Sequence, residues 1–263
     1  MDVKILVAAH KPCRLPSEEL YLPIQVGAAL RPPLEGGQGD DVGDNISRKN
    51  PHYCELTALY WAWKNLNAEY IGLAHYRRYF AGPAFRVGQD KWGRVAGRPV
   101  IEEALKRADL VLPQKRRYFI ETGYSQYVHA HHGQDLDETR RILAEEWPEY
   151  LPAFDRAMKK TSGHRFNMFI MKRELLDEYC DWLFGVLFRL EERLDISGYS
   201  ENDARVFGFV SERLLDVWVG TRRIAYAELP VVFTEKQDWP KKGWAFLKRK
   251  FVGKKEEALP QKI

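Results

Sequence analysis

The polar and apolar positions of this chain are organised around one stretch. Residues 70–80, YIGLAHYRRYF, begin as an apolar run and stop in His75-Tyr76-Arg77-Arg78-Tyr79. Such a run predicts a central strand covered on both faces, delivering polar side chains at its carboxyl end. Residues 3–9 (VKILVAA) repeat the pattern and predict a first, central strand that exits through His10-Lys11-Pro12. Residues 21–30 predict a second strand or a turn, with Gly27 inside it. Between them and the central stretch, Asn50 and Pro51 suit a helix start. Residues 56–66 then place Leu56, Leu59, Tyr60 and Trp63 at helical spacing. Helix followed by buried strand predicts a βαβ arrangement.

The same alternation continues. Residues 81–99 are rich in glycine and basic residues and predict a loop over a site. A short helix over 101–108 leads to a strand over 109–113, which ends in Lys115-Arg116-Arg117. Helices are predicted over 135–146, 150–160, 174–194 and 201–215, and strands over 166–171 and 224–233. Residues 31–45 form a loop containing Asp40, Asp41 and Asp44. Its glycines match neither the P-loop nor GxGxxG, so it is a weak phosphate signature.

Composition narrows the class. The 263 residues are 45% hydrophobic and 30% charged, which describes a globular chain long enough for one large α/β domain. Three widely spaced cysteines without a CxxC pair point to reduced thiols and a cytoplasmic location. No apolar run reads as a signal peptide or a membrane span. The net charge of +4 is uneven: nine Lys/Arg and three Asp/Glu fall from Lys236 onward, leaving the preceding 235 residues at about −2. That partition argues against a nucleic-acid-binding body. It divides the chain into a domain over 1–235 and a basic, aromatic tail over 236–263. The tail carries Trp239, Trp244, Phe246 and Phe251 among its lysines. It is read as an inner-membrane-surface segment in preference to a solvated tail.

The candidate chemistry lies at the predicted strand ends. Adjacent Arg77 and Arg78 suit phosphate or carboxylate, the alternative being a solvated basic turn. Asp135-x-Asp137 is literally a DxD, but its place at a helix start reads as acids facing the macrodipole. His129, His131 and His132 lack a zinc-ligand pattern and are read as a polar wall or as surface histidines. Asn167, opening an apolar run, is either a ligand contact or a backbone partner.

Five blocks then carry a resemblance. GDNISRKNPHYCELTALYWAWKN, YIGLAHYRRYF, YFIETGYSQYVHAHHGQDLD, FNMFIMKRELLDEYCDWLF and ISGYSENDARVFGFVSERLLDVW together resemble one bacterial family. It was first catalogued as a domain of unknown function, is similar to GT-A glycosyltransferases, and is found in capsular, exopolysaccharide and O-antigen assembly. The resemblance spans roughly residues 3–230. It implies a single GT-A-like, Rossmann-type domain, a mixed sheet flanked by helices, followed by the basic tail.

The resemblance also implies a function. It points to transfer of a hexose, galactose in pyranose or furanose form being one case, from a nucleotide-sugar such as a UDP-sugar. The acceptor would be a growing glycan or a lipid-linked glycan at the inner membrane face. A non-catalytic GT-A-like subunit of an assembly complex is the alternative. Related enzymes end the strand entering the site in a metal-binding DxD. Here His75-Tyr76-Arg77-Arg78 stands in that place, so no cofactor is expected and the arginines, helped by Lys115 or Arg116, take over the task of a Mn or Mg ion. Asp40, Asp41 and Asp44 are the alternative metal locus. The implied general base is Asp203, then Glu201, then Glu121. Ala9, His10, Asp44, Asn45, Ser47, His75, Tyr76, Arg77 and Arg78 are assigned to the nucleotide-sugar. His132 and Asn167 are assigned to the sugar or acceptor.

Overall fold

The computed structural model describes residues 1–82, 90–117 and 120–235. The expected membrane-surface tail, 236–263, lies outside the described residues. No helix among the described residues is long and apolar enough to cross a membrane.

In chain order the strands are β1 (Val3–Ala9), β2 (Tyr21–Gln25), β3 (Gln38–Gly39), β4 (Tyr70–His75), β5 (Arg78–Phe80), β6 (Leu110–Pro113), β7 (Arg116–Arg117), β8 (Ser162–Gly163), β9 (Phe169–Lys172), β10 (Ala227–Leu229) and β11 (Val231–Phe233). The helices are α1 (Asn50–Tyr53), α2 (Leu56–Asn65), α3 (Arg98–Leu105), α4 (Gly123–Val128), α5 (Gly133–Glu146), α6 (Leu151–Lys159), α7 (Arg173–Arg193) and α8 (Val206–Arg222). The main sheet runs β10-β6-β9-β4-β1-β2-β3, with β5 pairing both β4 and β11. β1 is parallel to β2 and β4, and β10 is parallel to β6. β9 runs antiparallel between β4 and β6, and β5 is antiparallel to β4 and β11, which makes the sheet mixed. The α/β fold with flanking helices therefore stands as expected.

Strand alternation sorts the core into two layers. Leu6 and Ala8 of β1, and Ile71 and Leu73 of β4, face the layer built by α2, α7 and α8. Val3, Ile5, Val7 and Ala9, with Tyr70, Ala74 and Tyr76, face the opposite layer, where Ile101, Ala104 and Leu105 of α3 pack. Burial on both faces is why these strands are apolar without interruption. Gly72 lets β9 approach β4: a Cβ there would fall 2.9 Å from both Ile170 Cγ1 and the Phe169 carbonyl oxygen.

Several expected elements change: the stretch over 70–80 divides into β4 and β5, and the strand expected over 166–171 starts only at Phe169, after positive-φ Phe166 and Asn167. The helix predicted over 201–215 starts only at Val206; Asp203–Arg205 form a 3-10 turn before it. Ser200 Oγ caps that turn by accepting the Asp203 N–H at 3.1 Å. The strand predicted over 224–233 is divided at Pro230, which has no N–H for the ladder. Its carbonyl instead accepts the Ala81 N–H at 2.8 Å, and the two halves pair with β6 and β5 respectively. Of the loop expected over 81–99, residues 83–89 lie outside the described residues. Beyond them Arg14 stacks 4.6 Å from the Trp92 ring.

Candidate functional site

Because β1, β2 and β4 are parallel, their carboxyl ends meet at one sheet edge, the usual place for ligands in open α/β sheets. A cleft of about 480 Å³ opens there. Its strand-end wall is Ala8, His10, Val26, His75 and Arg77. The facing wall is Asn50, Pro51, His52, Cys54 and Glu55 from the α1 region, with Glu201, Ala204 and Arg205 from the turn before α8. Arg31 completes the cleft.

The central stretch enters this cleft as a tight hairpin. His75 pairs with Arg78 across β4 and β5, so Tyr76 and Arg77 are the turn. Alternation then separates the four residues expected to act together. His75 and Arg77 line the cleft. Tyr76 is buried on the opposite layer, stacked edge-on with His10 at 5.6 Å. Arg78 is half-buried with its guanidinium 4.5 Å over the Phe166 ring, and burial lowers its pKa. Ala9 likewise faces away from the cleft, and Ala8 lines it.

The floor is built by a turn after β2. Gly27 adopts φ 65, a left-handed conformation suited to glycine. Asp40, fully buried, accepts the Gly27 N–H at 2.9 Å and the Ala28 N–H at 3.0 Å, and accepts a short bond from Ser47 Oγ. Arg31 Nη1 donates to the Val26 carbonyl at 3.1 Å and to Asn50 Oδ1 at 2.8 Å. That fixes its guanidinium in the cleft.

Two histidines report the field inside. Burial, then Arg78 and Arg77, push the His75 imidazolium down to about 2. Burial, then Arg31, Arg77, Lys11 and Arg205, lower His10 as well. Both rings are neutral at physiological pH, first because they are buried and then because cations surround them. An anionic group entering the cleft meets three arginines, Arg31, Arg77 and Arg205, against two carboxylates, Glu55 and Glu201.

One acid is held against this field. Glu55 Oε1 accepts from Asn167 Nδ2 at 3.0 Å, and the same amide nitrogen donates to the Gly208 carbonyl at 3.1 Å. Ser211 Oγ donates to Asn167 Oδ1 at 2.8 Å, which fixes the amide's orientation. Asn167 and the preceding Phe166 both have positive φ, 50 and 81. Left-handed backbone at a Phe costs roughly 1–3 kcal/mol and is retained where the surroundings over-determine it. Here it aims Asn167 at Glu55. Cys54, at φ 53, accepts the Arg205 Nε–H at 3.2 Å, and burial raises its thiol to about 11. It is a structural thiol at neutral pH.

The expected bases are dispersed. Glu201 lines the cleft at its exposed rim. Asp203, one turn away, faces a separate cluster: His131 Nδ1 lies 3.3 Å from its Oδ1, His132 Nε2 3.6 Å from its Oδ2, and Ser200 Oγ 2.9 Å from its Oδ2. His131 stacks on Phe209 and His132 on Tyr199, each at 4.1 Å. Glu121 is buried at the start of α4 against His129, at 2.6 Å, and does not line the cleft. Lys115 lines a second cavity, while exposed Arg116 stacks 5.3 Å from Phe166.

The loop after β2 is internally bonded. Asn45 Nδ2 donates to the Asp41 and Gly43 carbonyls at 3.0 and 2.8 Å, and Asp44 accepts from the Tyr60 hydroxyl at 3.3 Å. Ser47, Asn45 and Asp41 border a shallow depression separate from the cleft. As a metal locus this loop does not fit: Asp40 is committed to backbone N–H groups, and Asp41 and Asp44 are exposed. The DxD of α5 does not fit either. Buried Asp135 accepts from the Tyr127 and Tyr199 hydroxyls at 2.7 and 2.5 Å, and Asp137 from Tyr124 at 3.0 Å. No group of three or more metal-ligating side chains is present among the described residues.

Arg31, Glu55 and Arg205 are the arginine and carboxylate residues of the cleft that sequence reasoning passed over. Arg31 sits five residues past Val26 in a loop without a motif. Glu55 reads as an ordinary first-turn acid, and Arg205 as a mid-helix cation.

Residues 4–223 match the family model described as "Domain of unknown function (DUF4422)". No curated protein matches. Among solved structures, the chain is similar to the apo structure of the WbbM bifunctional glycosyltransferase, with 30% sequence identity and a TM-score of 0.81. The match covers 90% of this chain and 46% of that one, so the chain spans about half the length of that neighbour.

Proposed function

The chain belongs to the DUF4422 family, and from that premise and the cationic cleft we propose that it is a glycosyltransferase using a nucleotide-sugar donor. The observation carrying this reading is the placement of Arg31, Arg77 and Arg205 around a cleft at the carboxyl ends of β1, β2 and β4. The likeness to a bifunctional glycosyltransferase supports it.

The donor diphosphate lies against Arg77, Arg31 and Arg205. Charge develops on the leaving nucleoside diphosphate as the anomeric C–O bond breaks, and fixed cations stabilise that charge. Neutral His10 and His75 are available as hydrogen-bond donors. In this reading the cleft works through Arg31, Arg77 and Arg205. In an inverting reaction the acceptor hydroxyl attacks the anomeric carbon and gives its proton to a carboxylate. Glu55 takes this role in preference to Asp203, because it lines the cleft and Asn167 orients it. Glu201, at the rim, guides the acceptor. The donated sugar is a hexose, with UDP-galactose the first donor to try. The acceptor is a capsular, exopolysaccharide or O-antigen glycan, reached at the inner membrane face through the basic tail.

The test is a panel of UDP- and GDP-sugars, read by thermal shift with and without EDTA and by nucleoside-diphosphate release with a glycan acceptor. Donor-specific stabilisation that survives EDTA is the expected result. The absence of both binding and turnover across the panel overturns the reading.

A further inference from the structure

A second cavity, of about 380 Å³, lies between α6, the later half of α8 and the segment entering β9. Ala153, Ala157 and Gly220 contribute small side chains to its wall and leave it open. It is distinct from the cleft. The turn holding Arg205 borders the cleft, whereas Asp216 and Val219 border the cavity. At 1.5 Å rise per residue, Arg205 and Val219 stand roughly 20 Å apart along α8.

The charges of this cavity are divided unequally. Its lining acid, Asp216, is committed. His164, 1% exposed, bridges two carboxylates, with Nδ1 2.5 Å from Asp216 Oδ1 and Nε2 2.9 Å from Glu228 Oε1. The His164 N–H donates to Asp216 Oδ2 at 3.0 Å, and Arg165 Nη1 lies 3.5 Å from the same oxygen. The cations are not committed in this way. Lys115 donates to the Tyr226 hydroxyl at 2.8 Å and reaches Glu228 only at 4.0 Å. Arg156, Lys160 and Arg223 are exposed at the cavity wall, and none forms an ion pair among the described residues. Elsewhere Arg140, Arg189, Arg193 and Arg222 each find a carboxylate. Three unneutralised cations around one concavity attract an anion. Guanidinium and ammonium groups select phosphate or carboxylate.

We propose that this cavity binds the phosphate or carboxylate group of an acidic saccharide unit within the acceptor glycan. The proposal deepens the glycosyltransferase reading and rests on it for the identity of the ligand. The separation from the cleft has a consequence. One short acceptor cannot occupy both places, whereas an extended glycan can present its end to Glu55 and an acidic unit farther back to the cavity. The site would select acidic, elongated acceptors over neutral or short ones.

The experiment uses ligand-observed NMR on the full chain with three probes: glucose 6-phosphate, glucuronate and glucose. Binding of one or both charged probes, with none of glucose, is expected; the two charged arms distinguish phosphate from carboxylate. The Arg156→Gln/Lys160→Gln/Arg223→Gln variant should weaken that binding at least tenfold, while Arg31→Gln/Arg77→Gln should retain it. Arg156→Glu, a single reversal on an exposed helix face, should reproduce the loss if the triple variant folds poorly. Equal binding of glucose, no binding of any probe, or binding untouched by the cavity variants overturns the proposal. A chain that binds charged saccharides through the cavity but no nucleotide-sugar would instead sink the transferase reading.

Discussion

Asn167 and Glu55, 112 positions apart, are joined by a 3.0 Å hydrogen bond from amide nitrogen to carboxylate. The amide is itself held by Ser211 and by the Gly208 carbonyl. A side chain fixed from both ends is a positioning device. Glu55→Gln should keep donor affinity and lower transfer by roughly 10²–10⁴-fold, the range for a general base. Asp203→Asn should lower turnover far less. Steady-state rates of both variants, set beside donor binding by calorimetry, decide between the two acids; a larger loss in Asp203→Asn returns the base to that residue.

Arg77 and Arg78 should separate cleanly on substitution. Losing a charge-assisted bond to phosphate costs about 1.5–3 kcal/mol, so Arg77→Ala should weaken donor binding by about ten- to a hundredfold. Arg78→Ala should lower the melting temperature, since that guanidinium packs on Phe166, and leave affinity within a few fold. Equal affinity losses in the two variants would contradict the alternation described for the hairpin.

His75 makes stability depend on pH. Its folded pKa lies far below the unfolded value near 6.5, so the unfolded chain binds more protons as pH falls. The neutral-His contribution is complete above the unfolded pKa and drains away through the window from 6.5 towards the folded value. Between about pH 7.5 and 5.5 this amounts to about 1.4 kcal/mol. Urea midpoints at the two pH values should therefore converge in His75→Asn. An unchanged gap would mean that other groups, such as His10 and His131, whose pKa values are also lowered by burial, carry the dependence.

Donor binding should take up protons. An anion placed beside His10 and His75 offsets the cations that, after burial, hold them neutral, so their pKa values rise on binding. Affinity should then increase as pH falls towards 6. Calorimetry in two buffers of different ionisation enthalpy measures the uptake directly, and a buffer-independent heat would place the diphosphate away from these rings.

Asp40→Ala tests the metal question from the other side. If this acid only ties down the Gly27–Ala28 turn, its loss leaves two N–H groups and the Ser47 hydroxyl proton without their acceptor and costs roughly 1–3 kcal/mol. Donor binding should stay EDTA-insensitive in wild type and variant alike.

The sheet was readable in the chain because strands such as β1 and β4 are covered on both faces and carry unbroken apolar runs. The same property hid which side chain faces the site. When Ala8 and Ala9, or Arg77 and Arg78, are equally acceptable to both layers, hydropathy has no phase, and only the pairing partner sets it. The boundary before α8 was obscured differently: SENDAR contains good helix-start residues at several positions, and the partners that engage the Asp203 carboxylate, His131 and His132, lie far earlier in the chain, His131 by 72 residues. The bonds that Tyr127 and Tyr199 make to buried Asp135 were not visible in the Asp135-x-Asp137 pattern, since both partners lie elsewhere in the chain.

The antiparallel insertion of β9 between β4 and β6 also has a bearing on biosynthesis. The nascent chain makes β1, β2 and β4 early, yet the central strand stays without its partner on one side until residues near 170 have emerged. Arg205 arrives later still. Long-range pairing of this kind is slow and leaves strand edges open to misassembly. The first half of the cleft is thus a bare cationic edge on the ribosome, and Glu55 acquires its orientation only when the second half of the protein closes over it.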